Sequence, residues 1–119
     1  MDVHHVAFRT KNLPRLIRFY RDVVGLRVVR TNKLERNKLR SVWLEMGAAL
    51  LMLEAADADE PEIPKGSNEF LGFRAPSKAA VAKLKKRLGR RVEAETEFTI
   101  YFRDPDGRKI GVSTYVWTP

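Results

Sequence analysis

Hydrophobic positions along the chain fall into short alternating runs interrupted by two stretches of helical spacing. Residues 3–9 alternate and are rich in β-formers, so the pattern predicts a strand. Asn12 can cap a helix opening at Leu13, with Pro14 in a first turn where its missing N–H is no loss. Leu13, Leu16, Ile17, Tyr20 and Val24 then recur along one helical face, and Gly25 ends the run. Strands follow at 26–31, 40–46 and 49–54, with a polar connection over 32–37 and a turn at Gly47. The first half therefore reads β-α-β-β-β.

The same order returns after residues 55–67, which carry Pro61, Pro64, Gly66 and much of the acidic charge, and which read as a linker. A strand is predicted at 69–75. Pro76 and Ser77 open a helix with Ala80, Val81, Leu84 and Leu88 on its buried face and Gly89 at its stop. Strands at 92–97 and 99–103 lead to the turn formers Asp104, Pro105, Asp106 and Gly107, and a last strand runs over 109–117. The phrase His5-Val6-Ala7-Phe8-Arg9 reappears as Phe70-Leu71-Gly72-Phe73-Arg74. A repeat of this kind fixes architecture more firmly than any single element. The expected fold is α+β, with two βαβββ modules forming curved mixed sheets and the helices on the outer face. Module 1 spans about 1–55 and module 2 about 68–119, together one domain of 119 residues.

Strand alternation sorts the side chains. Val6, Phe8, Leu51, Leu53, Leu71, Phe73, Ile110 and Val112 belong under the helices. His5, Ala7, Arg9, Met52, Glu54, Phe70, Gly72, Arg74, Gly111, Ser113 and Tyr115 then line the opposite, concave face, the natural place for a small ligand.

Composition narrows the chemistry. There is no cysteine, which removes disulfides, thiolate metal sites and cysteine nucleophiles. The start of the chain shows no signal-peptide pattern, and the longest apolar run, 48–53, is too short to span a bilayer; the expectation is a cytoplasmic protein with no membrane association. The formal charge is +8. The basic residues are spread along the chain, densest at 33–40 and 83–91, and no nucleic-acid motif accompanies them, so nucleic acid is not expected as a partner. A positive field does favour small anions.

Two phrases carry a family resemblance. The run from His5 to Thr10 with Phe19-Tyr20-Arg21-Asp22-Val23-Val24-Gly25-Leu26 resembles the opening module of the vicinal oxygen chelate superfamily, the glyoxalase, bleomycin-resistance and extradiol dioxygenase proteins. Ile100-Tyr101-Phe102-Arg103-Asp104-Pro105-Asp106-Gly107-Arg108-Lys109-Ile110 resembles its closing module. With the repeated element order, the resemblance covers essentially the whole chain. It implies a divalent metal held by His and Glu side chains of the concave strands, with open positions where vicinal oxygens of a substrate bind. In this sequence the first ligand position falls on His5, the second-module histidine position on Phe70, and the last-strand glutamate position on Gly111. The end of the first module falls near Met52, with Glu54 two residues on. A metal site of His5 and Glu54 is therefore incomplete, and no cofactor is expected, a divalent metal remaining the alternative.

Each candidate also has a plain reading. His5 can be a hydrogen-bonded pocket histidine, and Glu54 a solvated strand end. Arg9 and Arg74 occupy equivalent positions in the two modules, either as surface charges or as anion-binding groups. Tyr101 is similar in position to a tyrosine that contacts ligand in fosfomycin-resistance transferases, and otherwise packs on the sheet. Trp43, Phe70, Tyr115 and Trp117 can be core or interface aromatics rather than a ligand cage. The leading expectation is a small-molecule binding protein of this superfamily, taking an anionic or aromatic ligand in the concave cavity beside a degenerate metal site. A metal-dependent lyase, isomerase or dioxygenase is the second, with His5 and ligands from Glu54 or a partner subunit. A basic interaction module with a vestigial pocket is the third. The resemblance also implies a homodimer.

Overall fold

A computed structural model describes all 119 residues. Its elements are β1 (His5–Thr10), α1 (Leu13–Arg18, continued by a wider π-helical turn, Phe19–Val24), β2 (Val28–Lys33), β3 (Leu39–Met46), β4 (Ala49–Ala55), β5 (Phe70–Arg74), α2 (Lys78–Leu88), β6 (Val92–Glu95), β7 (Thr99–Arg103) and β8 (Lys109–Ser113). They form two compact units, Met1–Glu62 and Ile63–Pro119. Each is a four-stranded mixed sheet with one helix, ordered β1-β4-β3-β2 in the first and β5-β8-β7-β6 in the second. The outer strand of each pair, β1 or β5, runs parallel to its neighbour, because a helix intervenes before the chain returns; the other pairings are antiparallel. No helix is long and apolar enough to cross a membrane.

The helix signals act as the local chemistry dictates. Asn12 accepts from the Arg15 N–H at 3.2 Å, and Ser77 accepts from the Ala80 N–H at 3.1 Å. Gly25, at φ 91°, ends the first helix, and the N–H groups of Gly25 and Leu26 both close on the Tyr20 carbonyl. That closure holds Leu26 to the helix, so β2 begins at Val28 instead of at residue 26. Leu16, Tyr20, Leu44, Leu51 and Leu53 are fully buried in the first unit, and Phe102 and Ile110 in the second, where Leu84 and Leu88 are the buried residues of α2. The alternation read from the sequence thus holds: Leu51, Leu53, Ile110 and Val112 are core, and Met52, Glu54 and Ser113 are not.

Other expected boundaries move as well. Strand β6 ends at Glu95, two residues early, because the next residues turn and the Thr96 N–H bonds the Thr99 carbonyl. Strand β8 ends at Ser113 rather than at residue 117. There Ser113 Oγ accepts the Tyr115 N–H at 3.1 Å, which curls the chain out of the ladder. Tyr115 is therefore beyond the strand, its ring packed against Phe98 at 5.3 Å. Part of the linker also belongs to the first unit. Ala56 donates to the Thr10 carbonyl, Glu60 takes Arg9 in a two-pronged ion pair at 2.6 and 2.8 Å, and Glu62 pairs with Lys11 at 3.0 Å.

The turn between β7 and β8 is organised by a buried carboxylate. Asp104 Oδ1 accepts from the backbone N–H groups of Asp106 and Arg108 at 2.9 and 3.0 Å, and Oδ2 takes the Arg108 guanidinium at 3.2 Å. Asp104 and Asp106 are turn formers, as their spacing suggests.

Candidate functional site

In the second unit the face opposite the core carries three cross-strand rows. Phe70, Lys109 and Arg103 form one, Gly72, Gly111 and Tyr101 the next, and Arg74, Ser113 and Thr99 the third. The middle row has two bare glycines side by side. The Phe70 ring lies over this bare backbone and meets the Tyr101 ring edge-on at 5.1 Å. The fit is close: a Cβ on Gly111 would sit 3.2 Å from both rings. Lys109 extends its ammonium over the pair, 5.2 Å from Phe70 and 4.9 Å from Tyr101. A cavity of about 480 Å³ opens beside these rings, and Phe73, Arg74, Thr99, Ser113, Tyr115 and Trp117 complete its lining. Drug-sized sites have volumes of this order.

Of the candidates read from the sequence, Phe70, Arg74, Tyr101, Gly111, Ser113 and Tyr115 are brought together here. Thr99 and Lys109 are not among them, and Trp117 reads from the sequence mainly as a core or interface aromatic. Period-two counting from Tyr101 and Gly111 reaches Thr99 and Lys109, so that signal was present. Trp117 falls on the same period-two series when the last strand is read to residue 117, although the strand itself ends at Ser113.

The remaining candidates occupy the open face of the first unit. Met52 stands between Ala7 and Trp43 in one row, and Glu54 between Arg9 and Ser41 in another. Arg30 lies over the Trp43 ring at 5.0 Å, and the buried Trp43 Nε1 has no hydrogen-bond partner. Arg9 is already engaged: its bond to Glu60, reinforced by the Asp57 N–H, holds that carboxyl down to about 2, and Glu60 and Glu54 together raise the guanidinium's own value. An incoming anion would have to displace Glu60. A smaller cavity of about 260 Å³ lies beside Arg9, bordered by Lys38, Arg40, Glu54 and Asp57.

The metal set suggested by resemblance does not fit these residues. His5 registers with Leu50, whereas Glu54 registers with Arg9, four residues further along β1. That separation is roughly 13 Å along the strand, too far for two side chains to share an ion with ligand bonds near 2 Å. The pairing of His5 with Glu54 as metal ligands is therefore corrected. His5 instead has its Nδ1 2.8 Å from Nδ1 of His4. Within either unit no three His, Asp or Glu side chains gather. Trp43 Nε1, the one orphaned buried polar atom, is a donor and offers nothing to a cation. At Gly111 the space a ligating side chain would need is held by the Phe70 and Tyr101 rings.

Comparison with known proteins agrees with this architecture. The family model described as Glyoxalase/Bleomycin resistance protein/Dioxygenase superfamily matches residues 2–112. The fold is similar to that of the fosfomycin resistance protein FosX from Mesorhizobium loti, with TM-score 0.76 and 16% identity over 97% of this chain and 92% of that one. A lactoylglutathione lyase from Agrobacterium tumefaciens is similar at TM-score 0.67 and 27% identity, over 94% of this chain and 92% of that one. FosX from Listeria monocytogenes, solved as an E126Q mutant with Mn(II) and 1S,2S-dihydroxypropylphosphonic acid, has TM-score 0.73 and 14% identity over 97% and 93% of the two chains. No curated protein matches the chain.

Proposed function

The chain belongs to the Glyoxalase/Bleomycin resistance protein/Dioxygenase superfamily, and from that premise we propose that it binds a small anionic or aromatic organic molecule on the open face of its second unit, without a resident metal. The observation that carries this reading is the Phe70 ring laid over Gly111 and edge-on to Tyr101. Of the two positions that the resemblance assigns to metal ligands, Phe70 forms an aromatic wall with Tyr101 and Gly111 supplies the bare backbone beneath it. The cavity beside it has rings, two aliphatic hydroxyls, two phenol hydroxyls and a guanidinium, and no carboxylate among its lining residues. Such a lining attracts a ligand by stacking and charge, and supplies no obvious general base.

The test uses W43F protein, in which Trp117 is the remaining indole. Titration with a panel of naphthyl and phenyl compounds should change Trp117 emission saturably, and dialysis against a chelator should leave the response unchanged. A response abolished by chelation and restored by manganese, nickel or zinc would refute the metal-free reading. Silence across the panel would refute the ligand-binding reading.

We further propose a cytoplasmic homodimer. Exposed Tyr115, Val116 and Trp117 supply apolar surface of the kind that interfaces cover. Sedimentation analysis showing monomer at high micromolar concentration would count against it.

A further inference from the structure

The charges and hydroxyls of the second unit's open face define the ligand more narrowly. Three cations stand there, and they differ in what they hold. Arg103 is engaged, its Nε donating to Glu93 at 2.8 Å and its Nη1 to the carbonyls of Ser67 and Gly107 at 2.8 and 3.2 Å. Lys109 rests on the Phe70 and Tyr101 rings. Arg74 lines the cavity and has no carboxylate, carbonyl or ring as partner.

Beside Arg74 the hydroxyls leave one proton unused. Thr99 Oγ1 and Ser113 Oγ are 2.8 Å apart, and Ser113 Oγ also accepts the Tyr115 N–H. Two hydroxyls carry two hydrogens and only one lies between them. Thr99 donates in that bond, so the Ser113 O–H is the one left to donate outward. Register places Arg74, Ser113 and Thr99 next to one another across three strands. Arg74 and Ser113 thus present a free guanidinium and a free O–H from adjacent strands whose backbones run about 5 Å apart, two donors from which one carboxylate can accept.

We propose that this row is an anion subsite and that the ligand is an aromatic monocarboxylate. Its carboxylate meets Arg74 and the Thr99–Ser113 hydroxyl pair, and its ring stacks on the Phe70–Tyr101 wall. The rings lie over the neighbouring glycine row, two residues along the strands, so carboxylate and ring are separated by about 7 Å. That favours an acid of bicyclic size over benzoate. The proposal rests on the ligand-binding reading above and specifies the chemistry of the same cavity.

Calorimetric titration with 2-naphthoate, 2-naphthamide and the saturated decahydronaphthalene carboxylate tests it, on wild type and on R74Q, R74K and S113A proteins with unchanged circular dichroism. Wild type should bind 2-naphthoate at least tenfold more tightly than either analogue. R74Q should weaken 2-naphthoate roughly tenfold to a hundredfold while leaving the amide unchanged, as loss of one charge-assisted contact requires. R74K should fall between, and S113A should cost a smaller factor. Equal binding of acid and amide, or a preference for the acid that survives in R74Q, overturns the anion subsite and leaves the broader reading standing. Failure of every naphthyl compound to bind overturns both.

Discussion

The contact of Phe70 with Gly111 can be weighed by a double-mutant cycle. In G111A the new methyl carbon would lie 3.2 Å from Phe70 Cε2 and from Tyr101 Cε1, and 3.3 Å from Phe70 Cδ2. The backbone does not object, since Gly111 is an ordinary strand residue. Replacing a strand glycine by alanine should then stabilise by ~0.5–1 kcal/mol through the unfolded chain. Against this stands the crowding. Phe70 is 48% exposed and can swing away, but doing so gives up an edge-on aromatic pair worth ~0.5–1.5 kcal/mol. The two effects nearly cancel, so G111A alone should change stability by no more than ~1 kcal/mol. In F70A the ring is gone and Tyr101 has room to lean, so the same alanine should stabilise by ~0.5–1 kcal/mol. The coupling between the two positions is then about 1 kcal/mol. Denaturant midpoints of wild type, G111A, F70A and the double variant measure it. A coupling within ~0.3 kcal/mol of zero would show that the ring does not occupy the space over Gly111, and the case against a ligating side chain there would fall.

Other expectations follow from the same geometry. D104A strands two backbone N–H groups in a buried turn and should cost about 2–4 kcal/mol, whereas D104N keeps an acceptor for them and should cost about half as much, both read from thermal unfolding. Glu60 should titrate near 2 by NMR, and in R9Q should return toward its ordinary value of 4.5. Its carboxyl is depressed in the folded state, so the Arg9 clip supports the fold fully above pH 4.5 and is lost as pH falls toward 2, with both groups exposed enough for salt to weaken it. A wild-type midpoint at the ordinary value would deny the clip in solution. N12A should lose about 1 kcal/mol by removing the cap on Arg15, with N12G closer to wild type.

The order of elements was legible because three local signals agreed. Asn12 and Ser77 are good caps, Gly25 and Gly89 are good stops, and apolar alternation put Leu51, Leu53, Ile110 and Val112 in the core. What misled was partly local hydrogen bonding that periodicity does not register, and partly long-range pairing. Apolar periodicity does not show that the Tyr20 carbonyl would capture Leu26, or that Ser113 Oγ would bend the chain out of β8. The linker's acidic residues look like solvated charge until register places Arg9 and Lys11 within reach of Glu60 and Glu62. The site was half legible for the same reason. Period two found Phe70, Arg74, Gly111 and Ser113, yet could not show that His5 and Glu54 are two rows apart. Strand parity fixes the face a residue shares and leaves the row to the pairing.

Phe70 and Gly111 are best regarded as one feature rather than two. They sit on adjacent strands, one register row apart, and the ring of one occupies the volume in which a side chain on the other would stand. A glutamate placed at 111 alone would meet two rings at 3.2 Å before its carboxylate could reach any cation, and the ammonium of Lys109 already stands over both rings. A histidine placed at 70 alone would cover the glycine row with a smaller, more polar ring and find no second or third ligating side chain gathered beside it. Neither single change recreates a metal-binding face, and each gives up packing that the present pair provides. The aromatic wall is thus self-consistent. It couples an exposed ring, a bare backbone and a resting ammonium, and it leaves Arg74 as the free charge toward which an anion in that cavity would turn.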